Sequence, residues 1–212
     1  MNKIKERLRR LLAPTVRLAA LTIATLGVTS AWAADRTNPV TGETESYTNT
    51  FIGETTEWNA ADQWDQEVVP FVSGGDYNPA LVDAATVSTS TAIDGWTLRV
   101  GAYNGASIAW NGGISKIQAS SAGCWLTADE TSSITIASFA GNQLEGSDSA
   151  PFKLSSANAG GITWTAGLTS SSNSTLPFWY YLKGDGTVVY GGDITVANAQ
   201  VKIGRASCRE RV

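Results

Sequence analysis

The chain has 212 residues, with 15 basic and 19 acidic residues, two cysteines and no histidine. This length can bury one sizeable core, but the absence of histidine removes Ser-His-Asp and Cys-His catalysis and the common zinc sites. Residues 35–202 contain six basic and 17 acidic residues, a balance that repels nucleic acid and anionic membranes. We therefore expect no enzyme activity, no cofactor, no metal site and no nucleic-acid partner.

Residues 1–34 have the organisation of a signal peptide. A basic beginning is followed by an apolar run from Leu18 to Val28 and by an Ala-Trp-Ala tripeptide at 31–33, which matches the small-x-small cleavage pattern. The apolar run is shorter than the ~20 residues that a membrane-spanning helix needs. We expect an exported protein that is cleaved after Ala33 or Ala34 and has no membrane span in its mature part.

The mature chain begins with a polar segment and continues with short strands. Residues 35–57 are rich in Thr, Glu and Asn without periodicity, which predicts a flexible leader. From Trp58 onward, short runs of alternating apolar residues are separated by Gly, Asn, Ser and Asp, a pattern typical of many short strands. This predicts an all-β chain, with 58–95 as an N-terminal capping region.

An internal repeat occupies residues 96–202. Four leucines spaced 28 residues apart each lie in a strand-like run; they are Leu98, Leu126, Leu154 and Leu182. A second run follows each of them and contains Ile108, Ile134, Ile162 or Ile194, and a weaker third run lies near Ile117, Leu144, Leu168 or Val201. The predicted repeat units are 96–123, 124–150, 151–177 and 178–202.

One such unit cannot bury its apolar face alone, whereas stacked units close a continuous core. The repeat therefore predicts a right-handed parallel β-helix, a β-solenoid with rungs of 26–28 residues and the four leucines in one interior column. The alternative is a β-sandwich or jelly roll, because Asn104-Gly105 and Asn111-Gly112 are strong hairpin signals.

The last ten residues, 203–212, differ in composition from what precedes them, with three arginines and Cys208. Their back-translation is similar to a common sequencing adapter, so we expect them to be an artefact that does not belong to the fold. Cys124 then stands alone and is predicted to pack as a small apolar residue.

Two segments resemble the passenger β-helices of bacterial autotransporters and related surface proteins. Residues 58–64 (WNAADQW) are similar to the tryptophan-rich opening of such proteins, and residues 182–196 (LKGDGTVVYGGDITV) resemble their Gly-x-Gly-Thr-Leu-x-Leu-x-Gly strand repeat. The resemblance implies a passenger-like β-helix at the cell surface, associated with the outer membrane, or in the medium. It implies no catalytic residues, because these families share none.

Aromatic residues are the candidate binding residues. Alternation places Trp125 opposite Leu126, and the run 178–181 places aromatic side chains on both faces of one strand. We take Trp125, Trp179 and Tyr181 as candidate ligand-stacking residues, with packing under loops or against a neighbouring strand as the alternative.

These observations lead to two functional hypotheses. The first is a non-catalytic segment of a larger bacterial surface or secreted protein, with a structural or adhesive role and with glycans or surface proteins of a host or environment as partners. The second is a carbohydrate-binding module or a truncated polysaccharide-active β-helix enzyme.

Overall fold

A computed structural model describes residues 34–72, 75, 77–118, 123–139, 144–145, 151–170, 177–196 and 201–203. The predicted signal peptide up to residue 33 and the segment 204–212 lie outside the described residues. The described part contains 19 strands and a short 3-10 helix, Ala61–Gln63, but no α-helix.

The strands are short, most of them three to five residues long. The first six are β1 (Ala34–Thr37), β2 (Thr44–Tyr47), β3 (Asn49–Thr50), β4 (Ala80–Asp83), β5 (Thr86–Thr89) and β6 (Ile93–Trp96). The next seven are β7 (Arg99–Tyr103), β8 (Ser107–Trp110), β9 (Ile114–Gln118), β10 (Cys124–Ala128), β11 (Ser133–Ile136), β12 (Leu144–Glu145) and β13 (Phe152–Ser156). The last six are β14 (Ile162–Trp164), β15 (Leu168–Ser170), β16 (Phe178–Leu182), β17 (Val188–Tyr190), β18 (Ile194–Val196) and β19 (Val201–Ile203).

The strands are divided among five sheets. A seven-stranded sheet has the order β19-β16-β13-β10-β7-β4-β3, and a five-stranded sheet has the order β17-β14-β11-β8-β5. A three-stranded sheet (β12-β9-β6) and a two-stranded sheet (β15-β18) are smaller, and β1 and β2 form a separate antiparallel hairpin. All other paired strands run parallel, and from β5 onward each strand enters a different sheet from the strand before it.

The prediction of a right-handed parallel β-helix is wrong, because the strands form several separate small parallel sheets and not a single solenoid. The third set of strands shows the interruption: β6, β9 and β12 lie in one sheet and β15 and β18 in another, and among the described residues isolated bridges at Phe139 are what connects the two. The ladder of this set breaks at β12, which has two residues and pairs with β9 alone among the described strands, so no backbone hydrogen bonds carry the set on to β15.

The hairpins that favoured a sandwich or jelly roll do not form at either Asn-Gly pair, because β7, β8 and β9 lie in three different sheets. Asn104 and Gly105, with φ of 57° and 84°, connect β7 to β8, and these two strands belong to different sheets. Positive φ at these positions lets the chain change direction from one sheet to the next, and β8 does not fold back to pair with β7.

The predicted leucine column is wrong in two of its four members. Leu126 pairs with Leu154, but Leu126 pairs on its other side with Val100, and Leu154 pairs with Tyr180. Leu98 is fully buried just before β7, and Leu182 is half-buried and pairs with Ser156. Residues two apart on a strand face the same side, so the hydrophobic pattern did not distinguish these registers.

The second predicted column is correct in three members. Ile108, Ile134 and Ile162 pair in register on β8, β11 and β14, and the next position is Val188. Ile194 pairs instead with Leu168 in the smaller sheet. The third runs show the same mixture, because Ile117 pairs with Leu144 while Val201 pairs with Phe178 in the seven-stranded sheet.

The inward faces of the parallel sheets form the core. Val100, Leu126, Leu154, Ile134 and Ile162 have no exposed surface, and each fully buried aliphatic side chain of this kind contributes about 1.5–3 kcal/mol before chain entropy is subtracted. The fully buried residues of each strand face the core, and the half-buried residues between them face outward.

Aromatic side chains fill the core beside the first strands. Trp58 contacts the rings of Trp64 and Trp110 edge-on, at centroid distances of 4.8 and 5.5 Å. The indole N–H of Trp58 donates to the carbonyl of Pro70 at 2.9 Å, so this buried tryptophan keeps its hydrogen bond.

The polar segment 35–57, expected to be a flexible leader, contains β1, β2 and β3. Tyr47 and Asn49 have no exposed surface, and β3 pairs with β4 at the edge of the seven-stranded sheet. This segment is held in place by contacts with strands that are distant in the sequence. A search for local periodicity does not detect such contacts.

Within the described ranges, no helix is long and apolar enough to cross a membrane.

Candidate binding site

The outward face of the seven-stranded sheet carries a row of cationic and aromatic residues. Trp125 of β10 is in register with Arg99 on one side and Lys153 on the other, and Lys153 is in register with Trp179 of β16. The row lies on the opposite face from the buried Val100, Leu126 and Leu154, because successive side chains of a strand alternate between faces.

Trp125, the first candidate ligand-stacking residue, lies half-buried within this row. The guanidinium carbon of Arg99 lies 5.3 Å from the centroid of the Trp125 ring, within the range of a cation–π contact. The Nε of Arg99 donates to the carbonyl of Gly123 at 3.3 Å, which holds the guanidinium in place. One face of the Trp125 ring is therefore already covered by a protein cation.

Trp179 and Tyr181 lie on the same outward face, and both are half-buried. Their ring centroids are 6.5 Å apart in an edge-to-face arrangement. Trp179 and Trp125 are separated by β13, so their strands lie about 10 Å apart given a spacing of about 4.8 Å between neighbouring strands. The structure brings Trp179 and Tyr181 together but does not join them to Trp125 in one continuous aromatic platform.

The hairpin of β1 and β2 packs on this outward face through the carboxylate of Glu45. Oε1 of Glu45 accepts hydrogen bonds from Nδ2 of Asn38 at 2.7 Å and from Oγ1 of Thr127 at 2.9 Å. Oε2 accepts from the hydroxyls of Tyr47 and Tyr103, the latter at 3.1 Å. Four donors from three separate segments of the chain thus converge on one side chain.

Burial keeps the two tyrosines protonated and able to donate. Desolvation and the neighbouring negative charge of Glu45 both raise the pKa of Tyr47, and they raise the pKa of Tyr103 as well. The rings meet edge-on with centroids 6.2 Å apart. The two hydroxyls therefore remain hydrogen-bond donors to Glu45 throughout the neutral range.

Gly101 of β7 makes room for this contact. A Cβ atom at position 101 would lie 2.3 Å from the hydroxyl oxygen of Tyr47. Only glycine allows the hairpin to approach the sheet this closely.

Two ion pairs connect the hairpin to strands of the seven-stranded sheet. Arg36 pairs with Asp83 of β4. Nζ of Lys153 lies 3.5 Å from Oε2 of Glu43, and the Glu43 side chain is 67% exposed. The second pair is the weaker connection, since exposed ion pairs are worth only about 0–1 kcal/mol.

A groove of about 400 Å³ lies between the hairpin and the sheet. Its sheet side includes Arg99, Trp125, Lys153 and Ser155, and its hairpin side includes Glu43 and Glu45 among other polar residues. Volumes of about 300–1,000 Å³ are typical of small-molecule sites. The groove can therefore hold a ligand of modest size.

Two polar atoms of the groove residues lack a partner. Nε1 of Trp125 and Oγ of Ser155 are buried and have no hydrogen-bond partner in the part of the chain that the structure describes. Ser155 is only 1% exposed. A buried polar group without a partner costs about 1–3 kcal/mol, so these atoms favour a ligand that supplies the missing hydrogen bonds.

Sequence reasoning identified Trp125 but missed Ser155, Lys153 and the hairpin residues. Lys153 and Ser155 flank Leu154 at outward positions, and this alternation was the one available signal. The hairpin came from the segment expected to be flexible, and no local pattern links Glu45 to Thr127, 82 residues away.

Cys124 lies on the opposite, inward face of β10 and is fully buried. Desolvation raises the pKa of its thiol to about 12, although a backbone hydrogen bond and Arg99 act in the other direction. Over the described ranges, no group of three or more His, Cys, Asp or Glu side chains could hold a metal ion.

The chain was compared with protein-family models, curated proteins and solved structures. Its similarity to autotransporter passengers depends on residues 58–64 and 182–196 alone and stays a prediction. No family model, curated protein or solved structure matches this chain.

Proposed function

We propose that this chain is a non-catalytic segment of an exported bacterial surface or secreted protein, with a structural and adhesive role. The observation that supports it most is the row of Arg99, Trp125, Lys153 and Trp179 on the outward face of the seven-stranded sheet. Tryptophan and arginine are enriched among the residues that dominate binding energy at interfaces.

The sheet makes this row suitable for adhesion. The four residues lie on adjacent, backbone-paired strands, so their spacing is determined by the ladder and not by loops. A contact surface that is already ordered loses less entropy when a partner binds. The expected partners are glycans or proteins of another surface.

The carboxylates of the groove support binding more than acid–base chemistry. Glu45 accepts four hydrogen bonds, and Glu43 is paired with Lys153. Both carboxylates are therefore already engaged by neighbours within the protein.

The adhesive role is tested with the full chain, produced with its N-terminal segment so that the host cell can process it. The protein is applied to a glycan array and to an array of extracellular surface proteins, beside the double variant Trp125→Ala/Trp179→Ala. We expect the chain to bind at least one arrayed glycan or protein. The double variant should bind it with an affinity lower by about tenfold or more, as for hot-spot residues.

The matched control is Val189→Ala, which removes an exposed apolar side chain from β17 of the five-stranded sheet. This variant should bind like the original chain. The adhesive role is contradicted if the chain binds no arrayed glycan or protein, or if the double variant binds as well as the original chain.

Export is tested separately by N-terminal sequencing of protein recovered outside the cytoplasm. The proposal predicts a mature protein that begins at Ala34 or Asp35. A product that begins at Met1 and remains in the cytoplasm would contradict export without bearing on the binding surface.

A further inference from the structure

We propose that the groove between the β1–β2 hairpin and the seven-stranded sheet binds a unit of a neutral saccharide, whose hydroxyl groups pair with Trp125 Nε1 and Ser155 Oγ. This inference deepens the proposed adhesive function and depends on it. It differs from ring stacking, because it assigns Trp125 the role of a hydrogen-bond donor.

The two unpartnered atoms lie in a setting where their neighbours are paired. Ser155 is in register with Thr127 on the adjacent strand, and Oγ1 of Thr127 bonds to both Glu45 and Asn38 of the hairpin. Ser155 lies one strand further along under the same hairpin but has no partner among the described residues. The hairpin therefore satisfies one hydroxyl of this row and leaves the next one available to a ligand.

The chemistry of these atoms fits hydroxyl groups. The indole N–H of Trp125 can only donate, while the hydroxyl of Ser155 can both donate and accept. A sugar hydroxyl likewise both donates and accepts, so neighbouring hydroxyls on one ring can serve both protein atoms. Arg99 covers one face of the Trp125 ring at 5.3 Å, so a ligand cannot stack on that face.

The charges of the groove favour a neutral ligand. Arg99 and Lys153 are balanced by Glu43 and Glu45, all four of which line the groove. An acidic sugar would approach the exposed carboxylate of Glu43, which is 67% exposed. A neutral sugar meets no such repulsion.

A peptide strand is disfavoured by the backbone of the sheet. The groove residues Arg99, Trp125 and Lys153 lie on β7, β10 and β13, each of which has a paired strand on both sides. Binding by strand addition requires an exposed sheet edge. The groove instead presents side-chain hydrogen-bonding groups.

The hairpin can yield to an incoming ligand at one side. It forms its own two-stranded sheet and contacts the larger sheet through side chains, not through a backbone ladder. At the groove, the Glu43–Lys153 pair is the exposed contact, with N–O distance 3.5 Å. When this pair opens, a sugar can reach Trp125 and Ser155 on the sheet side of the groove. The hydrogen bond from Thr127 to Glu45 still holds the hairpin on the sheet.

The experiment measures affinity of the full chain for neutral oligosaccharides and for matched oligosaccharides that contain uronic acid, by titration calorimetry. Trp125→Phe removes the indole N–H but keeps an aromatic ring, and Ser155→Ala removes the hydroxyl. Each should weaken binding of the neutral oligosaccharide about 2- to 10-fold, the effect of losing one hydrogen bond. Ser155→Ala should not lower the thermal unfolding midpoint, because the Ser155 hydroxyl has no hydrogen-bond partner among the described residues.

Trp96→Phe is the matched control. Trp96 ends β6 of the three-stranded sheet and also has a cation near its ring, with Nζ of Lys116 5.3 Å from the ring centroid, but it does not line the groove. This variant should bind the neutral oligosaccharide with unchanged affinity.

The outcomes separate this inference from the adhesive function. If the chain binds only acidic oligosaccharides, or if Trp125→Phe and Ser155→Ala leave affinity unchanged, the groove proposal is wrong. If it binds a surface protein but no saccharide, the groove proposal fails and the adhesive function stands. If it binds neither, both fail.

Discussion

Gly101 shows how a single missing side chain allows two parts of the chain to meet. Its position on β7 faces the hydroxyl of Tyr47, and an added Cβ would lie 2.3 Å from that oxygen and 2.8 Å from the ring of Tyr103. Both tyrosines donate to Glu45. Any displacement of Tyr47 therefore weakens the hydrogen bonds that hold the hairpin.

We predict that Gly101→Ala lowers the free energy of unfolding by about 1–3 kcal/mol, the usual cost of overpacking a buried contact. Urea unfolding followed by tryptophan fluorescence measures the change. The control is Gly160→Ala, where the nearest atom to an added Cβ is 3.7 Å away, and it should change stability by less than about 0.5 kcal/mol. Equal effects of the two substitutions would show that Tyr47 does not lie against Gly101.

At the scale of elements, the hairpin depends on side-chain hydrogen bonds for its position. Glu45 accepts from Asn38 within the hairpin and from Thr127 and Tyr103 of the larger sheet. A carboxylate can accept all of these bonds because it has two oxygens and no proton to place.

We predict that Glu45→Gln loosens the hairpin, because the amide nitrogen would face hydrogen-bond donors. The expected cost is about 1–3 kcal/mol for buried donors left without a partner. Hydrogen exchange should become faster in β1 and β2 while exchange in β10 and β13 stays unchanged. Glu43→Gln alters only an exposed ion pair and should have little effect; a comparable increase in exchange would contradict the role of Glu45.

The strand register gives a second prediction at this scale. Leu126 is fully buried between Val100 and Leu154, whereas Leu182 is half-buried at the end of β16. Leu126→Ala should lower the free energy of unfolding by about 2–5 kcal/mol.

Leu182→Ala serves as the comparison and should cost clearly less, since little of a cavity forms where a side chain is partly exposed. Denaturant unfolding of both variants measures the difference. Equal costs would support one shared leucine column and contradict the observed register.

At the scale of the whole molecule, buried thiol and tyrosine hydroxyl groups make the free energy of unfolding sensitive to alkaline pH. The pKa of Cys124 is raised to about 12 by burial, and burial also raises the pKa values of Tyr47 and Tyr190. The folded protein therefore retains these protons at a pH where the unfolded chain has lost them, and the unfolded chain is favoured as pH rises.

We predict that the free energy of unfolding is constant between about pH 6 and 8 and falls from about pH 9 towards 12, with a slope of up to about 1.4 kcal/mol per pH unit for each such group. Urea midpoints at a series of pH values measure it. Cys124→Ala should remove the decrease that begins near pH 9 and leave the part due to the tyrosines, which begins near pH 10. Stability that stays constant to pH 11 would contradict the burial of these groups.

The sequence by itself determined the all-β composition of the described part and many of its strand positions. Alternation identified the strands around Ile108, Leu126, Ile134, Leu154 and Ile162, since a period of two residues is a local property of a half-buried strand. It also identified Trp125 as an outward residue, for the same reason.

Only the tertiary structure decided how the strands are shared among sheets, which registers they adopt and where the hairpin lies. A shift of two residues keeps every side chain on its face, so the pattern could not distinguish Leu98 from Val100 or Leu182 from Tyr180 as the partner of the central leucines. The groove could not be predicted from the sequence either, because it depends on the position of a polar hairpin. That position is determined by hydrogen bonds such as the one from Thr127 to Glu45, which lie 82 residues apart in the sequence. Local periodicity carries no information about contacts at that distance.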